Sequence, residues 1–484
     1  MVQIENWFSE IYNDLKSNNK KFVLIGGASC SGKGTATKQL KKFLESKGAK
    51  VLYIEADKYY KSMSTVLVEK ALKKEQFKKY TEIKSMDFKS LIAEKLKSVI
   101  GEYKIDDKFS NANIYLIRNS LSKYFTPEDL DLFILEIKNI CENYNFDEPA
   151  VVDLELLAQH INALEKGNTI NMPFYSMNNS ETSPSSEYYN GSEYDYVLIE
   201  GLYALRPEVL ENINTSQIVT ASIIADTKTL FSRRLYRDIY TSRVGSTPER
   251  TIISALKDVL PAYYEHIEPT LSKATYPLSN PITKQEIDKR NGVKQTKYQL
   301  NTSHKTFLKR IAQEKIINQT KQADIYFRDN NLENPITLCL RIEDGQASEI
   351  CFKIGNNLSN RKVESYDLKT IFSEENKNAN KLIEMFLNSG FEKQHTIYKL
   401  RKQVLLEGIH GDDVILNVDF GAQIGFVLEF VNTSVEDEIY WANYLDLVPA
   451  KKNQSIETIF EETINKNPTN LNRYDEKFSD FIGN

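Results

Sequence analysis

The residues best suited to chemistry stand in one glycine-rich segment, residues 22–35, with the sequence FVLIGGASCSGKGT. Its apolar start predicts a buried strand, and the residues after Lys33 predict a helix. Gly27 and Gly32 bracket four residues and Lys33 follows, which matches the G-x-x-x-x-G-K spacing of a phosphate-binding loop. Backbone N–H groups of such a turn, the positive end of the next helix and the lysine together hold an anion. The predicted phosphate contacts are Gly27, Ala28, Ser29, Cys30, Ser31, Gly32, Lys33, Gly34 and Thr35.

The position after Lys33 departs from the usual motif. It is Gly34, where Ser or Thr ordinarily offers a hydroxyl to Mg²⁺. We therefore expect Thr35, one residue later, to provide the hydroxyl that contacts the metal. A glycine-rich turn without a ligand is the alternative interpretation, and the order strand, loop, lysine and helix argues against it.

Three charged features after this loop suit phosphoryl transfer. Asp57 directly follows a second apolar strand, and a carboxylate there can accept the proton of a substrate hydroxyl. Glu200 ends a third apolar strand. This is the position at which P-loop enzymes place an acid that holds Mg²⁺ through water. Arginines on one predicted helix and its following turn can neutralise charge on the transferred group: Arg233, Arg234, Arg237 and Arg243. Purely structural roles are the alternative for each of these residues.

The elements that must position these residues alternate between strand and helix patterns up to about residue 285. This alternation predicts a parallel, doubly wound α/β sheet in a first domain, residues 1–285. It is interrupted by a helical insertion at about 62–143, and a polar, turn-rich stretch at 178–193 predicts a mobile loop. A polar linker follows near 277–296.

Short alternating strands after the linker, interrupted by one helix, predict an antiparallel, β-barrel-like α+β domain at 291–452.

 The tail at 453–484 is polar.

Composition bounds the class of protein. The chain has 484 residues, 41% of them hydrophobic and 27% charged, which is typical of a globular protein. Its net charge of −5 gives no overall basic field for nucleic acid. The four cysteines show no C-x-x-C spacing, which favours a reducing compartment. Because neither a signal peptide nor a membrane-length apolar run occurs, we expect a cytoplasmic protein without a membrane partner.

Several motifs occur in a fixed order: GGASCSGKGT, DKYY, NFDEPAVVDLELL, VLIEGLYAL, RRLYRD and IEPTLSKA. Together they resemble the uridine kinase and phosphoribulokinase group of P-loop kinases, over residues 20–60 and 144–280. The resemblance implies a P-loop NTPase fold and a kinase that uses ATP and Mg²⁺. The residues to which it gives roles are Asp57 as the catalytic carboxylate, Lys33 and Thr35 as contacts of ATP and magnesium, and Arg237 and Arg243 as catalytic lid residues.

The acceptor region departs from this family. Uridine kinases show P-x-Y-D-F followed by a His and an Arg that hold the nucleoside, whereas this chain has PFYSM at 173–177 and then NNSETSPSS. Tyr175 is retained, and Tyr59 in the DKYY motif is the other predicted substrate contact. A site that loses its hydrogen-bonding partners loses much of its affinity for that substrate. Phosphoryl transfer is therefore better supported than uridine as the acceptor.

The strings HTIYKLRKQ and DVILNVDFGAQIGFVLEFV resemble the closing strands of the CYTH domain, the triphosphate tunnel metalloenzyme fold. That family points basic residues at a triphosphate and Glu at a metal inside an antiparallel barrel. The candidates here are Lys297, Arg341, Lys353, Lys399 and Arg401, with Glu364, Asp419 and Glu429 as acids. The alternative is that these residues face solvent on a half-exposed sheet.

The acidic motifs of the CYTH family are incomplete. Its opening E-x-E-x-K corresponds to VKQTK at 293–297, which keeps only the lysine, and its closing E-x-E corresponds to Glu429-Phe430-Val431. Fewer carboxylates hold a hard cation poorly, so phosphate or polyphosphate binding is favoured over metal-dependent hydrolysis.

The first hypothesis is thus an ATP- and Mg²⁺-dependent phosphotransferase of the uridine kinase type, acting on a nucleoside or another small hydroxyl compound. Two alternatives stay open: a triphosphatase or pyrophosphatase acting in the barrel, and a non-catalytic scaffold that responds to nucleotide. The family resemblance also leaves a homo-oligomer open, although no residue indicates one.

Overall fold

The computed structural model describes residues 2–83, 87–104, 107–240, 251–252, 254–283, 286, 293–300, 303–312, 314–329, 337–356, 364–371, 379–388, 391–421, 425–431 and 433–449. They form two compact units. The first combines Met1–Asp226 with Ser254–Pro281, and the second combines Thr227–Ile253 with Ile282–Asn484. Across the described part of the chain, no helix is both long and apolar enough to span a membrane.

The first unit contains strands and helices in alternation. Its strands are β1 (Phe22–Gly27), β2 (Val51–Glu55), β3 (Thr169–Asn171), β4 (Phe174–Ser176), β5 (Glu181–Ser183), β6 (Tyr188–Asn190), β7 (Tyr196–Gly201), β8 (Ile218–Ile224) and β9 (Tyr276–Ser279). Its helices are α1 (Val2–Ser17), α2 (Lys33–Ser46), α3 (Met63–Leu72), α4 (Lys78–Ile83), α5 (Asp87–Ile100), α6 (Asn111–Leu121), α7 (Pro127–Glu142), α8 (Leu154–Glu165) and α9 (Pro207–Leu210). A last helical stretch covers residues 254–271, with π-helical turns at Ala255–Val259 and Tyr263–Ile267.

The main sheet of the first unit is parallel, with the strand order β2-β7-β1-β8-β9. Strand β1 lies at its centre and is buried at every position, because both faces of a parallel sheet are covered by helices. Helices α1 and α2 cover one face with a core that includes Trp7, Leu15 and Leu40. Burial of these apolar side chains fixes the ends of β1 and β7 beside each other.

The predicted insertion is helical, with α3 to α7 between residues 63 and 142. Helix α7 begins at Pro127, because the Thr126 side chain accepts a hydrogen bond from the Asp129 N–H and proline suits the first turn. The polar stretch predicted as a mobile loop is different. It contains β5 and β6, which pair antiparallel with β4 and β3 as two separate two-stranded sheets.

The second unit is an antiparallel sheet. Its strands are β10 (Val293–Leu300), β11 (Lys315–Asp329), β12 (Thr337–Glu343), β13 (Gln346–Asn356), β14 (Glu364–Ile371), β15 (Phe391–Glu407), β16 (Asp413–Gly421), β17 (Gly425–Val431) and β18 (Leu447–Pro449). Its helices are Thr227–Tyr240, His304–Ile311, Ala379–Asn388 and Val435–Leu445. The strand order is β14-β13-β12-β11-β15-β16-β17-β10-β18, and β10 also pairs with β14 through two residue pairs.

The two faces of this sheet differ in polarity. One face carries an apolar core in which Val404, Leu416 and Phe430 pack with Phe307 and Trp441 of the adjoining helices. The side chains between these apolar positions are polar yet also buried: Gln322, Asp324, Arg341, Lys399, Arg401, Asn417, Asp419 and Glu429. Because strand side chains alternate between faces, these polar residues share the second face. We call this set the charged interior.

Helix Thr227–Tyr240 groups with the second unit, whereas the sequence analysis placed it in the first domain. In this helix, Arg233 donates to the Glu286 carboxylate at 2.9 Å through both Nε and Nη2. The predicted polar tail, residues 453–484, lies outside the described residues.

Candidate functional site

The phosphate-binding loop connects β1 to α2 in the predicted order. Cys30 and Gly32 have positive φ angles of 67° and 91°, and the Ser31 N–H bonds to the Ala28 carbonyl at 3.1 Å. Asn280 fastens the turn from outside by donating to the Ser31 carbonyl at 2.7 Å. Only glycine fits at position 27, since an added Cβ would lie 2.6 Å from the Ser31 hydroxyl. The loop therefore presents its backbone at the N-terminus of a 14-residue helix.

Glu200 faces this loop from the neighbouring strand. The β1–β7 register pairs it with Ile25, and its side chain is buried, with 7% of the residue exposed. Its Oε2 lies 3.8 Å from Lys33 Nζ and has no hydrogen-bond partner. Burial raises the pKa of Glu200 above its ordinary value, Lys33 opposes that effect and Asp57 adds to it. The predicted lysine and acid thus form one charged pair.

Tyr53 completes the surroundings of Glu200. Its hydroxyl lies 3.2 Å from Glu200 Oε1 and 3.0 Å from Glu55 Oε1. Sequence reasoning missed this tyrosine, because only the β2–β7 pairing brings residues so distant along the chain together.

These residues fit Mg²⁺. The ion prefers oxygen ligands and usually binds through one or two carboxylates and the substrate phosphates. Glu200 offers a buried carboxylate oxygen without a hydrogen-bond partner beside the loop. The described residues contain no cluster of three or more His, Cys, Asp or Glu that could hold a metal by itself. Thr35, the predicted hydroxyl ligand, is exposed on the first turn of α2.

Asp57 lies at the end of β2, in the short 3-10 turn Ala56–Tyr59. The turn packs closely on β7, since a Cβ at Gly201 would lie 2.5 Å from the Ala56 Cβ. The Asp57 side chain is exposed and therefore accessible to a substrate. Burial raises the pKa values of Glu200 and Tyr60, and the negative charge of Asp57 raises both further.

Aromatic residues adjoin Asp57. The rings of Tyr60 and Tyr175 are stacked, with centroids 5.1 Å apart. Burial raises the pKa of Tyr60 well above its ordinary value, and the charges of Asp57 and Asp147 add to the effect. Asp147 is a buried residue of the NFDEP motif that the sequence analysis did not single out.

The structure gives Tyr59 a different place from the predicted substrate contact. Its side chain is 1% exposed, and its hydroxyl shares a 2.8 Å hydrogen bond with His160 Nδ1. Tyr59 therefore packs in the interior, and the next residue, Tyr60, points toward Tyr175 instead.

Of the two predicted lid arginines, only Arg237 lies among the described residues. Arg237 belongs to the helix Thr227–Tyr240, where its Nε donates to Asp238 Oδ1 at 2.8 Å. Arg234 Nε lies 3.6 Å from the other oxygen of the same carboxylate. Arg243 lies outside the described residues. The lid role of Arg237 and Arg243 thus stays a prediction.

The β4–β5 hairpin, where the family motif is lost, is fastened to the helical insertion. The Glu181 carboxylate accepts hydrogen bonds from the N–H and hydroxyl of Ser64, at 3.2 and 2.9 Å. Lys108 Nζ lies 3.6 Å from Glu181 and is fully buried. Ser62 accepts a hydrogen bond from the Thr182 N–H at 3.0 Å. Residues of the insertion therefore bind β5, the strand that pairs with the Tyr175 strand β4.

In the second unit, the charged interior is a network of ion pairs. Asp324 accepts two hydrogen bonds from Arg341, at 2.7 and 2.9 Å, and lies 2.9 Å from Lys399 Nζ. Asp419 accepts two from Arg401, each at 2.6 Å, and lies 3.2 Å from Lys399. Burial alone would raise the pKa of Asp324, but Arg341 and Lys399 outweigh it and hold the pKa well below its ordinary value.

Two further carboxylates complete this network. Glu429 accepts a hydrogen bond from Arg401 at 2.9 Å, and Glu349 accepts one from Arg341 at 2.5 Å. The predicted residues Arg341, Lys399, Arg401, Asp419 and Glu429 are thus brought together, and the acids that sequence reasoning missed are Asp324 and Glu349. The strands that carry Lys297, Lys353 and Glu364 are described, but the side chains of these three residues lie outside the described part.

Residues 129–280 match the model of the Phosphoribulokinase / Uridine kinase family. A uridine kinase of Deinococcus deserti is 36% identical over 130 residues, which are 26% of this chain and 58% of that kinase. A uridine kinase of Clostridium novyi is 32% identical over 126 residues, which are 26% of this chain and 57% of that kinase.

The chain therefore spans a little over half the length of these two kinases. A solved structure, a conserved hypothetical protein of Pyrococcus furiosus, gives a TM-score of 0.27 at 21% identity, over 34% of this chain and 99% of that protein. In sequence, residues 129–280 are thus similar to the Phosphoribulokinase / Uridine kinase family, and the two relatives named are uridine kinases.

Proposed function

We propose that the first unit transfers the γ-phosphoryl group of ATP to a hydroxyl of a nucleoside or another small compound. The observation that carries this proposal is the arrangement at the ends of three neighbouring strands. The phosphate-binding loop follows β1, Glu200 ends β7 beside Lys33, and Asp57 follows β2. Open α/β sheets bind their ligands at this edge.

Each residue has a role in the proposed reaction. The loop amides and Lys33 hold the ATP phosphates, and Asp57 accepts the proton of the acceptor hydroxyl. Glu200 and Thr35 would hold Mg²⁺, which when bound neutralises charge on the phosphates. The family resemblance gives Arg237 and Arg243 a lid role that neutralises charge on the transferred group, and this role stays a prediction.

The acceptor is less defined than the donor. The half-buried Tyr175, stacked on the buried Tyr60, offers an aromatic ring near Asp57, and Asp147 offers a buried carboxylate close to Tyr60. Such a surface suits a nucleoside base, and a carboxylate suits sugar hydroxyls. The matched relatives are uridine kinases, so uridine and cytidine head the list of acceptors to be tested.

We propose a second, subordinate function for the other unit: polyphosphate binding in the charged interior of a CYTH-like barrel. Three cations there face four carboxylates, so a bare polyanion gains little from this surface. A divalent cation that neutralises the carboxylates is expected to accompany the polyphosphate. Tripolyphosphate titration with and without Mg²⁺ tests this, and Glu429→Gln should weaken only the Mg²⁺-dependent binding.

The kinase proposal is tested by ADP formation from ATP and Mg²⁺ with a panel of nucleosides and small alcohols. An acceptor that raises ADP formation and itself gains phosphate supports the proposal and identifies the substrate. Lys33→Met should lower this activity at least about 100-fold, because it removes the cation nearest to the loop. Phosphate release that no acceptor changes and that Lys33→Met leaves intact would contradict a kinase in this unit.

A further inference from the structure

Gly34 leaves a space beside Glu200 in the first turn of α2. A Cβ built at position 34 would lie 3.5 Å from Glu200 Oε1 and 3.8 Å from the Tyr53 hydroxyl oxygen. In phosphate-binding loops this position usually carries Ser or Thr, whose hydroxyl contacts Mg²⁺. The missing hydroxyl would therefore point into a space that Tyr53 already borders.

Tyr53 reaches this space from β2. Its hydroxyl contacts both Glu200 and Glu55, but one proton can serve only one carboxylate at a time. Glu55 is also paired with Lys38, at 3.3 Å on the protein surface. A protonated hydroxyl is the same chemical group that Ser or Thr supplies.

A second observation indicates a cation at this place. Glu200 is more than nine-tenths buried, and its Oε2 has no hydrogen-bond partner. The nearest positive group, Lys33 Nζ, is 3.8 Å away, which is longer than a hydrogen bond. A buried carboxylate oxygen in this state gains from a metal ligand. Thr35, by contrast, is exposed.

We propose that Tyr53 replaces the loop hydroxyl that Gly34 lacks, so that Mg²⁺ of the bound nucleotide is held between Glu200 and the Tyr53 hydroxyl. This inference rests on the proposed ATP site and changes one ligand in it. Tyr53 and Gly34 then form a compensating pair, because a hydroxyl at position 34 and the Tyr53 hydroxyl would occupy the same side of Glu200.

The test measures binding of Mn²⁺ to the full chain in the presence of ADP, by electron paramagnetic resonance. Tyr53→Phe should weaken Mn²⁺ binding about tenfold, while ADP binding in EDTA stays unchanged. Gly34→Ser added to Tyr53→Phe should restore most of the lost affinity, because it returns a hydroxyl to the same side of Glu200. Tyr276→Phe, which removes a hydroxyl that contacts only the remote Asp14, is the matched control.

Three outcomes are distinct. Wild-type Mn²⁺ affinity in Tyr53→Phe, with ADP bound normally, would overturn this inference alone. An equal loss of ADP affinity in EDTA would also overturn it, because Tyr53 would then support the loop rather than the metal. Absence of ADP binding by the wild-type chain would overturn the proposed function and this inference with it.

Discussion

Glu200 and Lys33 are the two charges closest to the phosphate-binding loop, and their separation of 3.8 Å is too long for a strong bond. Each therefore remains partly unsatisfied without a nucleotide. A phosphate would approach Lys33 and the loop amides, and a divalent cation would approach Glu200. The pair is arranged to bind opposite charges from one ligand, which is the character of a metal–nucleotide complex.

Glu200→Gln tests this charge at the scale of one residue. The change keeps the size of the side chain but removes its negative charge. We expect Mg²⁺ to lose its effect on ADP affinity, with at least a tenfold loss of metal binding, while ADP binding in EDTA is unchanged or stronger. Isothermal titration of ADP with and without Mg²⁺ measures both quantities.

Glu45→Gln is the control for this variant, because Glu45 lies on α2 and only forms an ion pair with Lys41 along the helix. It should bind Mg²⁺ and ADP as the wild type does. If Glu200→Gln retains the wild-type response to Mg²⁺, then Glu200 does not hold the metal.

The sequence predicted those parts of the site that belong to one continuous segment of the chain. The loop with Lys33 is one continuous motif, and Asp57 is recognised because it ends a strand. Tyr53 could not be found in this way, because its contact with Glu200 depends on the pairing of β2 with β7. The sequence could not show which way Tyr59 and Tyr60 point, because both are buried and only packing places Tyr59 against His160 and Tyr60 against Tyr175.

At the scale of elements, the helical insertion is connected to the acceptor region through the β4–β5 hairpin. Lys108 and Glu181 are both buried there, and neither can turn to solvent. Breaking a buried pair by removing one partner leaves the other charge uncompensated. The insertion is therefore expected to matter for both stability and the position of Tyr175.

Glu181→Ala should destabilise the first unit by about 3 kcal/mol, because Lys108 is left without its carboxylate. It should also raise the KM for the acceptor more than the KM for ATP, since the hairpin adjoins Tyr175 rather than the phosphate-binding loop. Urea unfolding and steady-state kinetics measure these effects.

The matched variant is Glu187→Ala, which breaks the largely exposed pair with Lys58. Its cost in stability should stay within about 1 kcal/mol. Equal losses in the two variants, or an unchanged KM for the acceptor in Glu181→Ala, would show that the hairpin does not position the acceptor.

In the second unit, strand pairing places His395 of β15 against Tyr326 of β11, with ring centroids 4.8 Å apart. Burial lowers the pKa of His395 to about 4. The unfolded chain binds this proton near pH 6.5, so stability present above that pH is lost as the pH falls toward 4.

Between pH 7 and pH 4.5, protonation of His395 should lower the free energy of unfolding of the wild type by about 2 kcal/mol. His395→Phe should not show this decrease. Urea unfolding at both pH values gives the difference, and His410→Gln, at an exposed position, is the control. A pH dependence in His395→Phe as steep as in the wild type would assign the effect to other groups.

The elements were predictable to different extents. Strands β1, β2, β7 and β8 are apolar runs, and their burial follows from their composition. Strands β5 and β6 were missed, because strands of only three residues within a polar, turn-rich stretch carry no periodic signal. The strands of the second unit were expected, but alternation alone could not tell a buried charged face from an exposed one.

At the scale of the whole molecule, the two units bury charge in opposite ways. The first keeps a few charges at the edge of an apolar sheet, where a ligand can reach them. The second places three cations and four carboxylates in contact with one another inside the sheet. Removing any one member of so closely paired a network is destabilising, because it leaves a buried charge without its partner.

Arg401→Met should therefore destabilise the second unit by about 3 to 5 kcal/mol, because Asp419 and Glu429 lose their shared partner. Arg328→Met, at an exposed position of β11, should have little effect. Differential scanning calorimetry with and without MgADP separates the units, because the ligand should stabilise only the transition of the first. A loss of the MgADP effect in Arg401→Met would contradict this separation.

The central claim is that phosphoryl transfer occurs in the first unit with Asp57 as the base, and acceptor-dependent ADP formation by Asp57→Asn tests it most directly. The account predicts a loss of about 100-fold or more with ATP affinity unchanged, while Asp107→Asn, at an exposed position of the insertion, keeps full activity. Turnover of ATP that needs no acceptor and survives Asp57→Asn would contradict the account and place the chemistry in the second unit.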